Sequence, residues 1–93
     1  MIIGICQIEL HLPGVASLKE KRSILKFMLA RIHNTFNVWA AETGHHDVWQ
    51  SAEIAVAIVS NSNVHNQQVL NRILEWIENN YEVLITRHEI EAL

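Results

Sequence analysis

The sequence predicts an α+β domain, a four-stranded antiparallel sheet with two helices on one of its faces, and three observations predict it. Ile2 to His11 is rich in Ile and Leu and alternates in its second half, and apolar residues alternate again from Ser51 to Val59, the period of a half-buried strand. They recur at helical spacing from Leu18 to Phe36 and from Val69 to Ile77. Two shorter, partly alternating segments, Val38 to Glu42 and Tyr81 to Ile90, complete the order strand, helix, strand, strand, helix, strand.

Each element follows from its residues. In strand one Cys6, Ile8 and Leu10 lie on one side and Gln7, Glu9 and His11 on the other. Leu12-Pro13-Gly14 is turn chemistry, with proline fixing one backbone angle and glycine tolerating positive ones. Ser17 followed by Glu20 has the spacing of a capping box, so helix one begins at Leu18. Leu18, Leu25, Leu29, Ile32 and Phe36 form its packing stripe with Met28 alongside, and Asn34 to Asn37 closes it. Val38 to Glu42 suits an edge strand, and Thr43 to Gln50 is a polar loop carrying His45, His46, Asp47 and Trp49. In strand three Ile54, Val56 and Ile58 face one way, with Glu53, Ala55, Ala57 and Val59 opposite. Ser60 to Asn63 offers caps for a second helix ending near Asn79 and Asn80, and Tyr81 to Ile90 is strand four. Because strand-helix-strand crossovers are right-handed, both helices fall on one face and the strands order four, one, three, two. This is the ferredoxin-like arrangement. Its open face is expected to carry Gln7, Glu9, His11, Ala55, Ala57 and Trp39.

The totals set bounds. Ninety-three residues make a single domain, residues 1–93, and 49% hydrophobic content supplies a core. A formal charge of −3 argues against indiscriminate attraction to nucleic acid or anionic lipid, so any anion contact must be local. The lone Cys6 excludes a disulfide framework and fits a reducing compartment. Neither a signal peptide nor an apolar run of about 20 residues is seen, so a cytoplasmic protein with no membrane partner is expected.

The strand ending Glu9-Leu10-His11, the run Ser17-Leu18-Lys19-Glu20-Lys21-Arg22, then Phe36-Asn37-Val38, Ala41-Glu42, Asp47-Val48-Trp49-Gln50 and Val59-Ser60 together resemble the YlxP-like family of small bacterial proteins. The resemblance runs nearly the full chain. It implies a ferredoxin-like fold and a bacterial cytoplasmic protein whose relatives tend to be encoded near factors for translation initiation and small-subunit maturation. It carries no biochemical activity and supplies no catalytic residues, and fold analogy cannot fill that gap.

Lys19, Lys21, Arg22 and Lys26 are the candidate anion or nucleic-acid site. They crowd the start of a helix, where the dipole already disfavours cations, and exposed helix-start amides favour phosphate. The bland alternative is a solvated face partly neutralised by Glu20. The RNA-binding version of this fold stacks bases on aromatics of the central strands, and none stand there in this sequence, so helix one is the better candidate surface. The expected function is a non-catalytic binding protein of the translation apparatus, contacting ribosomal RNA or a pre-ribosomal particle. The alternative is a homodimer whose open sheet face forms a ligand or regulatory site lined by Gln7, Glu9 and His11. His88 would join that lining if strand four lies beside strand one. No cofactor is expected. Adjacent histidines in the loop His45-His46-Asp47 seldom converge on one ion, so no metal is expected either. Glu9, Glu42 and Glu53 raise the thought of paired carboxylates, which would need a closed pocket. Cys6 reads as an inert buried thiol, Trp49 as an anchor for its loop, and Trp76 as packing.

Overall fold

The computed structural model describes residues 1–93. Its elements are β1 (Ile2–His11), α1 (Leu18–Phe36), β2 (Trp39–Gly44), β3 (Ser51–Ser60), α2 (Asn63–Asn80) and β4 (Leu84–Ala92). The strands order β2-β3-β1-β4, every neighbouring pair antiparallel, which is the ferredoxin-like topology with β1 and β3 central. β2 runs two residues further than the sequence suggests, to Gly44. β4 starts three residues later than expected, at Leu84. Ahead of it, Tyr81 stands in an aromatic cluster with Trp76, and Val83 is buried in the core.

The core lies between the sheet and the helices. Ile8, Leu10, Ala52, Ile54 and Val56 from the central strands meet Leu25, Met28 and Ile32 of α1 and Leu70, Ile73 and Ile77 of α2, each almost wholly excluded from water. Packing of this kind contributes roughly 1.5–3 kcal/mol per large side chain and is the main source of stability. Gly4 lets α2 close on β1, because a Cβ there would stand 3.0 Å from Asn66 Cβ and 3.1 Å from Ile58 Cγ2. That approach brings buried Asn66 within reach of the Ile2 carbonyl (3.3 Å) and the Ser60 hydroxyl (2.7 Å), which satisfies its amide.

The start of α1 forms as its sequence requires. The Glu20 amide donates to Ser17 Oγ at 3.1 Å, and the Glu20 carboxylate reaches back to the Ala16 amide at 3.1 Å, one residue earlier than an ideal capping box. Asn37 caps the other end in the left-handed region at φ 53°, a conformation asparagine tolerates. The buried face of α1 is Lys21, Leu25, Met28 and Ile32, while Leu18, Leu29 and Phe36 are half-buried beside it. No helix is long and apolar enough to cross a membrane.

Candidate functional site

The four cations of α1 divide. Lys21 is completely buried, which corrects its place in the anion site: its ammonium is consumed inside the protein. It sits one turn before Leu25 on the core-facing stripe and extends beneath the β2–β3 loop. There Nζ donates to the carbonyls of His45 (2.6 Å), Val48 (2.6 Å) and Ser51 (3.1 Å). All three of its donors are thereby used. Glu42, facing the helices from β2, places Oε2 3.1 Å from the ammonium, yet that oxygen accepts no hydrogen bond. The carboxylate therefore balances the charge by Coulomb attraction alone, which is strong in so dry a place. Lys21 is a structural staple that holds the loop, with help from the Leu12 amide on the Gln50 carbonyl at 2.9 Å. Trp49, expected to anchor the loop, is instead 49% exposed.

Lys19, Arg22 and Lys26 are exposed and make no ion pair within the protein. The acid nearest in sequence, Glu20, is committed to the Ala16 amide. Steps of three, four and seven residues bring His33 onto the same stripe, so by about 1.5 Å per residue the track runs about 20 Å from Lys19 to His33. His33 Nδ1 lies 2.5 Å from the Val38 carbonyl, and its ring meets that of Trp39 at 4.4 Å between centroids, tilted 39°. Arg31 falls on another side of α1, over Trp76 and Tyr81, and donates to the Tyr81 hydroxyl at 3.1 Å. Trp76 therefore packs, as its place beside Ile73 suggests.

The open face of the sheet is split between an apolar and an acidic end. Ala57 and Ala55 of β3, paired with Trp39 and Ala41 of β2, flank Ile5 of β1 around an apolar hollow of about 330 Å³. Farther along, Gln7 and Glu9 join Glu53, Arg87 and Glu89 around a small polar depression of about 70 Å³. Glu9 and Glu53 are direct cross-strand partners on the two central strands, an unfavourable juxtaposition of like charges. The one nearby cation, Arg87, donates to Glu89 Oε1 at 2.9 Å, and that bond raises its pKa further above the ordinary value. Both edge strands bulge beside this row, at Thr43 and Thr86, and the Thr43 hydroxyl lies 3.3 Å from Glu53 Oε1.

His45, at φ 57°, extends the acidic end: one ligand atom each of Glu9, His45 and Glu53 lies within 4.8 Å of the others, a donor set suited to a divalent cation. The sequence reading missed this grouping, because it paired His45 with His46 and Asp47 along the chain instead of across the sheet. Of the lining proposed from the sequence, Gln7 and Glu9 meet while His11 stands beyond the bulge, opposite Ser51 and Leu84. β4 does lie beside β1, but His88 pairs with Ile8 on the helix side, so it cannot join Glu9. Glu42 likewise leaves the carboxylate group for the opposite face. Cys6 is buried, and burial pushes its thiol from the ordinary 9.0 up to about 11, which removes it as a nucleophile.

A family model described as a protein of unknown function (DUF503) matches residues 3–90. The chain is also similar to the "Uncharacterized protein YlxP" of Bacillus subtilis (strain 168), at 40% identity over 90 residues that cover 95% of this chain and 98% of that one. The fold, the capped basic helix start and this near full-length similarity lead to one assignment: the chain belongs to the DUF503, or YlxP-like, family.

Proposed function

We propose that this protein is a non-catalytic, cytoplasmic RNA-binding component of the translation and ribosome-maturation apparatus. Lys19, Arg22 and Lys26 are the residues that meet phosphate. The observation that carries the reading is that these three cations share one exposed stripe of α1 and have no acid partner inside the protein. In a chain of net charge −3, α1 holds five of the seven Lys and Arg residues and a single carboxylate, so the molecule is electrically polarised. Attraction to a polyanion is then local to that helix, while Glu9, Glu53, Glu89 and Glu91 on the sheet repel it. The genomic neighbourhood that the family resemblance implies points to ribosomal RNA or a precursor particle as the partner.

The test is co-sedimentation with small ribosomal subunits across a salt series. Wild-type protein travels with the subunits at low salt. Changing Lys19, Arg22 and Lys26 together to Gln weakens binding and lowers the slope of log affinity against log salt by about 2, at about 0.7 per phosphate contact on single-stranded RNA. Protein that stays in the free fraction at low salt, or a triple variant with unaltered binding, defeats the reading.

The open sheet face supports a second reading, self-association. Val59 and Trp39 are 61% and 74% exposed on the side that no helix covers, and burial of such a face against a second copy is favourable. Light scattering separates the two readings, since a strict monomer leaves the face unpartnered.

A further inference from the structure

We propose that Trp39 is a base-stacking platform at the end of the α1 cation stripe and receives an unpaired nucleobase of single-stranded RNA; this rests on the RNA-binding reading above. The indole is the most exposed of the large hydrophobic side chains within the helices and strands, at 74%, although it stands on a strand. Its neighbours across the open face are small. With Ala57 opposite it and Ala41 and Ala55 in the next row, nothing reaches up to cover the ring.

The ring is nevertheless held. It lies against His33, and His33 is fixed through Nδ1 on the Val38 carbonyl, an acceptor that requires the proton to be on Nδ1. A fixed, exposed aromatic plane loses little freedom when a second ring settles on it. Its location supplies the identity of the occupant. His33 follows Lys26 by two helical turns and Arg22 by three, so the cation stripe leads directly to the Trp39 ring. Phosphates following Arg22 and Lys26 would deliver the next base to the indole, beside the apolar hollow floored by Ile5, Ala55 and Ala57. A positively charged track ending on an aromatic platform is the combination used for single strands, whose bases have free faces; a duplex has none to offer. The acidic end of the sheet keeps the backbone on the helix side of the ring.

A Trp49→Phe, Trp76→Phe protein leaves Trp39 as the sole tryptophan and so reports on this ring alone. An eight-nucleotide oligoadenylate is expected to quench its emission, and a self-complementary RNA duplex to leave the emission unchanged. Trp39→Ala, which removes an exposed side chain and so preserves the fold, weakens oligoadenylate binding about 5- to 150-fold without altering its salt slope, because stacking releases no counterions. Trp39→Phe retains most of the affinity. If Trp39→Ala binds as tightly as wild type while the cation triple variant loses binding, the platform is overturned and the RNA-binding reading stands. If wild-type protein binds no RNA, both fall. Equal quenching by the duplex also overturns the proposal. So does a dimer that Trp39→Ala dissociates with RNA affinity unchanged, since the ring then belongs to a second copy.

Discussion

Lys19 and Lys21 stand two positions apart in the first turn of α1 and have opposite fates. One is in solvent with no partner; the other is sealed from water with three carbonyls and a carboxylate around its ammonium. Angular position decides the difference. Lys21, Leu25, Met28 and Ile32 recur at steps of four, three and four along the core stripe, whereas Lys19, Arg22, Lys26 and His33 recur along an exposed one. Charge counted along a helix start therefore overstates a binding surface. Here the internal demand of the β2–β3 loop accounts for one cation and leaves three exposed without an ion pair.

The sharpest way to break this comparison is Lys21→Met. It leaves three carbonyls without donors and the half-buried Glu42 carboxylate without its counter-ion, a situation that costs up to roughly 3 kcal/mol, the low end for breaking a fully buried pair. Urea unfolding is expected to show a loss of that size, and hydrogen exchange to show the loop from His45 to Gln50 opening first. Adding Glu42→Leu should recover only part of the loss, since the carbonyls of His45, Val48 and Ser51 stay unsatisfied. A Lys21→Met protein of unchanged stability would mean that the ammonium does not staple the loop.

Both stripes hang from the same helix start, so Ser17→Ala is expected to affect them alike. Removing the cap costs about 1 kcal/mol and frees the Glu20 amide. Stability in urea should fall by that amount. RNA affinity should stay near wild type in conditions where the protein remains folded, because the cap touches neither stripe. A loss of binding larger than the loss of folded protein would show that the helix-start amides themselves contact the anion.

Much of this was readable in the residues. The apolar run of Ile2 to His11 with its alternating second half, the alternation from Ser51 to Val59 and the Ser17 and Glu20 spacing place both central strands and the first residue of α1, because those signals are local. The division of the cations was half readable. Lys21 lies one turn before Leu25 and two before Met28, so its phase already assigned it to the core. Its partners could not be read, since the three carbonyls lie 24 to 30 residues away on an irregular loop. The same holds for Glu9, His45 and Glu53, which are assembled by β1–β3 register and a positive backbone angle, neither of which has a sequence period. Trp39 stacking on His33 was hidden for a similar reason: the contact crosses from helix to edge strand and depends on where Asn37 turns the chain.

The smallest effect is the most informative about the outer stripe. Lys19 and Arg22 lie within the first turns of α1, where the helix dipole opposes cations by roughly 0.3–1 kcal/mol each at low ionic strength, falling off beyond the first turn. Changing Lys19, Arg22 and Lys26 together to Gln should therefore raise stability by a few tenths of a kcal/mol in dilute buffer. In 1 M salt, where the screening length shrinks to about 3 Å, the difference should vanish. Denaturant midpoints at the two salt concentrations measure it. A triple variant less stable than wild type in both buffers would mean that these side chains serve the fold after all, as Lys21 does, and the contrast between the two stripes would collapse. A variant that gains stability while losing RNA is the signature of residues kept at the protein's own expense for the sake of a partner, which a solvated structural face does not produce.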